Sequence, residues 1–186
     1  FSTSHRQEGF WKSRGAKGKV ALYVGRISKE KELDFLARVA ATMNQGQAIT
    51  FAFVGEGPFL EELKRKVPKG IFTGVLQGQE LSQAYASADL FVFPSTTDTY
   101  GNVVVEAMAS GLPVVVSDQG GPRELLRDAQ DGERVMTGDV GKWVSAIERL
   151  LAGQNGVKER EGRRSRTIAG RGWHDAFQSF WRDALL

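Results

Sequence analysis

The sequence predicts an α/β fold in which a doubly wound parallel sheet of about six strands carries helices on both faces. Short runs rich in valine, isoleucine and phenylalanine recur along the chain, as expected for buried parallel strands. Between these runs lie segments with apolar residues at helical spacing. Strands that alternate with helices are typical of βαβ units, so the predicted architecture is Rossmann-like and is followed by a helical C-terminal segment.

The predicted elements follow one another without an internal repeat. The segment 101–110 is ambiguous, because its three consecutive valines favour a strand, whereas EAMAS followed by glycine favours a helix, which we predict. Residues 1–18 are polar and glycine-rich and are predicted to form a linker or arm. The predicted strands are 19–25, 48–55, 70–74, 89–95, 112–118 and 133–136, and the predicted helices are 30–45, 58–67, 79–88, 101–110, 122–129, 138–152, 156–170 and 173–186.

Composition restricts the classes of function. The chain has 186 residues, of which 41% are hydrophobic and 25% charged, a balance that favours one globular domain. It contains no cysteine, which excludes disulfides and cysteine-zinc sites. No apolar run approaches the ~18 residues that span a bilayer. The formal net charge of +3 suits an anionic small ligand or a membrane surface, and is too weak to indicate nucleic acid.

The loops that follow the predicted strands indicate a phosphorylated ligand. In open α/β sheets, ligands bind outside the carboxyl ends of the strands, where the loops lead into helix N-termini. These loops are GRISKEK, GEGP, GVLQGQ, PSTTDTYGN and SDQGGPRE, and most of them carry a glycine close to the strand. Glycine lets the backbone approach a ligand closely, and helix N-termini favour anions.

Two common nucleotide motifs are not present in full. The run VGEGPFL begins like the dinucleotide fingerprint G-x-G-x-x-G, but Leu60 stands where the third glycine is required. The run GDVGKW has the wrong spacing for a Walker-type phosphate loop. The sequence therefore argues against NAD binding and against a Walker-type nucleotide hydrolase.

Arg26 and Lys31 form a basic pair after the first predicted strand. Cations near the start of a helix oppose the helix dipole, and their position is explained if a diphosphate lies between them and the helix. The alternative is a solvated basic surface on which Arg26 pairs with Glu30 or Glu32. Spacing alone leaves both interpretations open.

Two carboxylates, Asp98 and Glu106, flank the start of the predicted helix 101–110. Ionised carboxylates accept several hydrogen bonds, which suits vicinal sugar hydroxyls. For Asp98 the alternative is a helix N-cap, a common role of aspartate. Glu106 could instead pair with a buried arginine or accept backbone N–H groups.

Taken together, these segments resemble the retaining nucleotide-sugar glycosyltransferases of the group 1 family, which have the GT-B architecture of two Rossmann-like domains. The similar pieces occur in family order and cover nearly the whole chain. By this resemblance, residues 1–18 form the interdomain linker, residues 19–186 the C-terminal donor-binding domain, and the N-terminal acceptor domain is absent from this chain. The pieces are VGRISKEKELDFL, FVGEGP, YASADLFVFPS, DTYGNVVVEAMASGLPVVVSDQGGPREL and a weaker W…FW region.

The resemblance also implies roles for individual residues. Arg26 and Lys31 match the basic pair that holds the donor diphosphate, and backbone amides at the start of the helix match those that approach sugar and diphosphate. Asp98 and Glu106 match the two acids of the family's E-x7-E motif, which contact the donor sugar and the ribose. The sequence departs from the motif at Asp98, where glutamate is typical. The implied donor-binding residues are Gly25, Arg26, Lys31, Leu76 (at the nucleobase), Asp98, Tyr100, Gly101, Asn102, Val103 and Glu106, with Arg26, Lys31 and Asp98 implied as catalytic.

The activity implied is transfer of a sugar from a nucleotide diphosphate sugar, UDP- or GDP-linked, to a hydroxyl of a saccharide or lipid-linked acceptor with retention of configuration. The resemblance implies no cofactor and no metal, and His5 and His174 lie in terminal segments. The implied partners are the donor and the acceptor domain, with a peripheral contact at the inner face of the plasma membrane and no nucleic acid. A cytoplasmic enzyme whose donor domain alone binds donor without turnover is expected. The alternatives are a nucleotide-sugar epimerase and a non-catalytic nucleotide-binding module.

Overall fold

The described part of the chain forms one six-stranded parallel sheet, which confirms the predicted α/β doubly wound fold. A computed structural model describes residues 1–43, 49–126, 132–153 and 160–162. The strands are β1 (Lys19–Val24), β2 (Ile49–Val54), β3 (Ile71–Phe72), β4 (Leu90–Phe93), β5 (Val114–Ser117) and β6 (Gly132–Val135). Their order in the sheet is β3-β2-β1-β4-β5-β6, and all pairs are parallel.

The helices cover both faces of the sheet. They are α1 (Leu33–Met43), α2 (Leu60–Lys66), α3 (Gly78–Ser87), α4 (Asn102–Ala109) and α5 (Val140–Ala152). Helix α1 connects β1 to β2 and α4 connects β4 to β5, and these connections run toward opposite edges, so right-handed crossovers place the two helices on opposite faces. Helix α1 contacts α2 and α5, and α3 contacts α4. Among the described residues, no helix has the length and apolar character needed to cross a bilayer.

The ambiguous valine-rich segment forms helix α4, as predicted. Val104, Ala107 and Met108 are buried on one side of this helix, which is the spacing that a helix facing the sheet requires. The chain reverses at Gly111, whose φ of 77° closes the helix in the left-handed conformation. Tertiary packing at helical spacing therefore outweighs the strand propensity of the three valines.

The prediction of a helix over 122–129 is wrong where the structure describes it. Residues Gly121–Leu125 form a 3-10 turn, and Leu126 is already extended. Leu125 and Leu126 are both buried, and the N–H of Gly121 bonds to the carbonyl oxygen of Asp98, so packing against the neighbouring loop sets the course of this segment. The rest of this segment, and most of the predicted helices at 156–170 and 173–186, lie outside the described residues.

The N-terminal arm packs onto the domain. Phe10 and Trp11 are buried in the core, and the indole Nε1 of Trp11 donates a 3.0 Å hydrogen bond to the carbonyl oxygen of Ala84 in α3. The backbone N–H of Gln7 donates to Ser87 Oγ at 3.0 Å. The arm therefore stabilises α3, in addition to leading into β1.

Candidate functional site

A cavity of about 490 Å³ opens at the carboxyl ends of β1 and β4. These strands are neighbours in the sheet, but the chain proceeds from them toward opposite edges, which makes this position the topological switch point. Open α/β sheets bind their ligands at such a point. The cavity is lined by Tyr23, Val24, Gly25, Arg26, Glu30, Lys31, Phe93, Asp98, Thr99, Tyr100, Gly101, Asn102 and Val103.

The structure brings most of the predicted site residues together in this cavity, but Glu106 and Leu76 do not line it. Leu76 follows β3, is half-buried and packs against the core. The predicted residues that line the cavity are Gly25, Arg26, Lys31, Asp98, Tyr100, Gly101, Asn102 and Val103.

The side chain of Tyr23, in β1, supports the loop that follows this strand. Its phenol donates a 3.0 Å hydrogen bond to the carbonyl oxygen of Arg26, and a Cβ atom at Gly25 would lie 3.0 Å from the phenol oxygen. Burial, followed by the nearby charge of Asp98, raises the pKa of the Tyr23 phenol, so that it stays a hydrogen-bond donor. Tyr23 thereby fixes the backbone that carries Arg26.

The glycines of GEGP allow this loop and the loop after β2 to pack backbone against backbone. A Cβ atom at Gly55 would lie 2.0 Å from the carbonyl oxygen of Gly25. One at Gly57 would lie 2.2 Å from the carbonyl oxygen of Ile27. The incomplete glycine pattern is thus explained by close packing of the two loops.

Arg26 is exposed and extends from this loop without an ion pair to any residue that the structure describes. The carboxylate of Glu30 accepts a hydrogen bond of 2.7 Å from Ser28 Oγ. This bond lowers the pKa of Glu30 more than the nearby charges of Arg26 and Lys31 do. The alternative in which Arg26 pairs with Glu30 or Glu32 is therefore not what the structure shows.

The helix N-terminus at the cavity belongs to α4 and not to α1, the helix that follows Lys31 in the sequence. Gly101 is the N-cap, with φ 79° and ψ 54°, and no side chain caps the helix. The backbone N–H groups of Asn102 and Val103 make no hydrogen bond within the described ranges. These groups are available to an anionic ligand. Asp98 is consequently not an N-cap.

A pair of glycines after β5 fixes the loop that carries Asp98. The N–H of Gly121 donates a 2.8 Å hydrogen bond to the carbonyl oxygen of Asp98. A Cβ atom at Gly121 would lie only 1.7 Å from the carbonyl oxygen of Thr99, and one at Gly120 would lie 3.0 Å from that of Asp98. Only glycine fits between these segments.

Asp98 and Lys31 form an ion pair inside the cavity. The ammonium group of Lys31 donates to both carboxylate oxygens of Asp98 at 2.9 Å. Both side chains are only partly exposed, at 21% for Lys31 and 24% for Asp98. Sequence reasoning assigned the two groups to different parts of a ligand and did not predict that they contact each other.

Glu106 lies in the body of α4 and is held by a tyrosine. The phenol of Tyr85 in α3 donates a 2.9 Å hydrogen bond to Glu106 Oε2. Burial raises the pKa of Glu106, and the bond from Tyr85 opposes this shift. The observed partner is thus neither an arginine nor a backbone N–H group. The carboxylate oxygen Oε1 makes no hydrogen bond to any residue that the structure describes.

Sequence reasoning missed several residues that support the site. A tyrosine in an apolar strand, such as Tyr23, signals a phenol that needs a partner, and the run QGGP signals a close approach of the backbone. No local signal connects Tyr85 with Glu106, because the contact joins two different helices. The supporting residues missed are Tyr23, Tyr85, Gly120 and Gly121.

The fold and the cavity define the protein as an α/β domain with a cavity at the switch point of a parallel sheet. Residues 18–153 match the family model described as glycosyl transferases group 1. The chain therefore belongs to the group 1 glycosyltransferase family. This membership argues against the alternative of an epimerase.

Two curated relatives and one solved structure illustrate the similarity. The chain is 38% identical over 171 residues to the sulfoquinovosyl transferase SQD2 of Arabidopsis thaliana, covering 89% of this chain and 31% of that protein. It is 38% identical over 140 residues to a GDP-mannose-dependent alpha-mannosyltransferase of Mycobacterium tuberculosis, covering 75% of this chain and 36% of that protein. The crystal structure of Anabaena HepE in complex with UDP has a TM-score of 0.74 at 22% identity, covering 90% of this chain and 50% of that one. The chain thus spans about a third of the length of these curated relatives.

Proposed function

We propose that this chain is the donor-binding half of a glycosyltransferase that takes its sugar from a UDP- or GDP-linked donor. The observation that carries the proposal is the cavity at the switch point, where Arg26, Lys31 and the unbonded N–H groups at the start of α4 lie together. Charge-assisted bonds from such groups suit a diphosphate. The mannosyltransferase among the relatives depends on GDP-mannose by its name, which supports a nucleotide diphosphate sugar.

In this proposal, the reaction breaks the bond between the sugar C1 atom and the diphosphate. The electron pair leaves with the diphosphate, the acceptor hydroxyl oxygen bonds to C1, and one proton is released. The barrier lies in separating the positive sugar from the departing diphosphate. The departing negative charge is stabilised by Arg26, Lys31 and the backbone amides of Asn102 and Val103. In many enzymes, preorganised charges and dipoles of this kind make the largest contribution to catalysis.

The two acids bind hydroxyl groups of the donor. Asp98 contacts the transferred sugar, because it lines the cavity beside Arg26 and Lys31, the residues assigned to the diphosphate. Glu106 binds the ribose through Oε1, while Oε2 stays bonded to Tyr85. The ligand role and the structural role of Glu106 therefore use different oxygens of the same carboxylate. Since Glu106 and Leu76 do not line the cavity, the ribose and the nucleobase extend beyond it in this proposal, with the nucleobase against Leu76.

The remaining parts of the proposal concern the whole protein. We propose that configuration is retained and that the acceptor, a saccharide or lipid-linked hydroxyl, binds to a further domain, which the coverage of about a third of the relatives supports. This chain alone then binds donor without turnover. The cations of the cavity act in place of a metal. We also propose a cytoplasmic enzyme with a peripheral contact at the membrane, and the mild net charge of +3 supports the contact with an anionic surface.

Substitution of Arg26 tests the proposal directly. Arg26→Ala removes a charge-assisted contact to the diphosphate worth roughly 1.5–3 kcal/mol. We therefore expect the affinity for UDP or GDP to fall about 10- to 150-fold in isothermal titration calorimetry.

The matched control is Arg65→Ala, which removes an exposed arginine on α2 outside the cavity and should leave the affinity unchanged. Unchanged affinity in Arg26→Ala would show that the diphosphate assignment is wrong. Absence of UDP and GDP binding by the wild-type chain would contradict donor binding altogether.

A further inference from the structure

The ion pair between Lys31 and Asp98 occupies the groups that the proposed function assigns to two different parts of the donor. One ammonium group spans both oxygens of one carboxylate at 2.9 Å. In this arrangement Lys31 directs hydrogen bonds to Asp98, and the Asp98 oxygens are already engaged by a cation. A donor that uses both residues must therefore exchange this pair for contacts with its own diphosphate and sugar.

The two partners differ in their freedom to move. The backbone at Asp98 is fixed by the hydrogen bond from Gly121 and by the close packing of Gly120, and the aspartate side chain is short. Lys31 lies in the 3-10 turn Lys29–Lys31 and reaches the carboxylate through a flexible four-carbon chain. In this exchange of partners, Lys31 is therefore the group that moves and Asp98 stays in place.

The charges determine which ligand completes the exchange. A nucleoside diphosphate attracts Lys31 with more negative charge than the single charge of Asp98. When Lys31 moves, the partly buried carboxylate of Asp98 loses its partner, and an unpaired carboxylate of this kind is unfavourable. Hydroxyls of the transferred sugar can donate to the freed oxygens, whereas a nucleoside diphosphate lacks that sugar, and its ribose hydroxyls are assigned to Glu106.

We propose that the Lys31–Asp98 pair distinguishes the sugar-bearing donor from the spent nucleoside diphosphate. The inference rests on the proposed function and deepens it. With a nucleotide sugar, Lys31 binds the diphosphate and Asp98 binds the sugar hydroxyls. After transfer of the sugar, Asp98 recaptures Lys31 and weakens the hold on the nucleoside diphosphate, which favours its release.

The inference gives an expectation that a simple sugar contact does not. Asp98→Asn removes the competing charge, so the variant should bind UDP or GDP more tightly than the wild-type chain, by about fivefold if the pair is worth ~1 kcal/mol. The same variant should bind the corresponding UDP- or GDP-sugar no more tightly than the wild type. The affinity ratio between nucleotide sugar and nucleoside diphosphate therefore falls.

Calorimetry with UDP, GDP, UDP-glucose and GDP-mannose on the 186-residue chain measures both effects. Asp34→Asn is the matched control, since it breaks the exposed Asp34–Lys66 pair outside the cavity and should change neither affinity. In a Lys31→Gln background, Asp98→Asn should no longer tighten UDP or GDP binding, because the competition for the lysine is gone. Asp98→Ser repeats the test with a different neutral side chain if the asparagine variant does not fold.

Three outcomes are informative. Tighter nucleoside diphosphate binding that depends on Lys31 supports the inference. Unchanged or weaker binding by foldable Asp98 variants overturns it, while the proposed function stands as long as the wild-type chain binds nucleoside diphosphates. A wild-type chain that binds none of the four ligands overturns the proposed function, and the inference with it.

Discussion

The loop before α4 and the body of α4 hold their carboxylates in different ways. Asp98 lies in a loop whose backbone is fixed by glycine packing, and its side chain is held by the mobile cation Lys31. Glu106 lies on a helix, and its side chain is held by the phenol of Tyr85, itself buried in α3. In the loop, the partner is a flexible lysine, which the proposed exchange moves when a ligand enters. On the helix, the partner is part of the core and stays in place.

In the proposed function, this difference separates two ways of preparing an acid for the hydroxyl groups of the donor. The Asp98 carboxylate is balanced by a full positive charge, so its availability depends on which anions compete for that charge. Burial raises the pKa of the Tyr85 phenol, and the charge of Glu106 raises it further, so that Tyr85 remains a donor to Glu106. The helix thus provides a fixed orientation, whereas the loop provides a response to the ligand.

The largest expected effect comes from breaking the support of the loop. Gly121→Ala places a Cβ atom where it would lie 1.7 Å from the carbonyl oxygen of Thr99, so the Asp98 loop must shift. We expect a loss of about 3 kcal/mol in the free energy of unfolding, the upper end for overpacking. We also expect weaker binding of UDP or GDP. Urea denaturation and calorimetry measure the two effects.

The control for this variant is Gly141→Ala in the first turn of α5, where the nearest atom to a Cβ lies at an ordinary 3.6 Å. Alanine is the better helix former, so this variant should stay within about 1 kcal/mol of the wild type, on the stabilising side. Equal stabilities of the two alanine variants would contradict the packing role of Gly121.

A smaller effect is expected when the bond that holds the carboxylate on α4 is removed. Tyr85→Phe removes the donor to Glu106 and leaves a half-buried carboxylate without this bond. The free energy of unfolding at neutral pH should fall by about 1–2 kcal/mol in urea denaturation. Tyr100→Phe is the matched control, since Tyr100 is 56% exposed, and it should be nearly neutral. A similar loss in both variants would show that the bond to Glu106 is not the cause.

The smallest effect is a change in pH dependence. The pKa of Glu106 in the folded protein lies above its ordinary value of 4.5, because burial disfavours the charged form. A raised pKa contributes stability that is fully present below pH 4.5 and is lost as the pH rises through the folded value. Glu106→Gln imitates the protonated form, so its stability relative to the wild type should increase as the pH rises above that ordinary value.

Urea denaturation over this pH range measures the difference. Glu56→Gln, at an exposed position, controls for the loss of one negative charge. If the free energy of unfolding of Glu106→Gln falls relative to that of the wild type as the pH rises, the assigned direction of the pKa shift is wrong.

The sequence predicts the sheet and most of the cavity because both depend on local patterns. Apolar runs between helical segments define strands, and loops after parallel strands meet at one edge of the sheet. This reasoning brings Arg26, Lys31 and residues 98–103 to one place, and the structure confirms that they lie together. Their roles toward a donor stay predictions until binding is measured.

The contacts that organise the cavity could not be predicted in the same way. The Lys31–Asp98 pair and the Tyr85–Glu106 bond join residues on different elements, so neither appears as a pattern in the sequence. The 3-10 turn at Gly121–Leu125 was also not predicted. Its apolar residues have the spacing of an α-helix, but its conformation is set by packing against the neighbouring loop. These contacts depend on tertiary geometry, which local propensity does not contain.

The packed N-terminal arm has a consequence for chimaeric transferases, in which halves of different enzymes are joined. The segment before β1 precedes the first strand, which makes it an obvious place to join the two halves. However, Trp11 bonds to α3 and Gln7 bonds to Ser87, close to the tyrosine that holds Glu106. A foreign sequence spliced at Lys19 would remove those contacts and loosen that helix. A junction that keeps residues 1–18 also retains the hydrogen bond from Arg6 to Ala86 and the ring contact of Phe1 with Tyr85, and it leaves the arm with the domain that it stabilises.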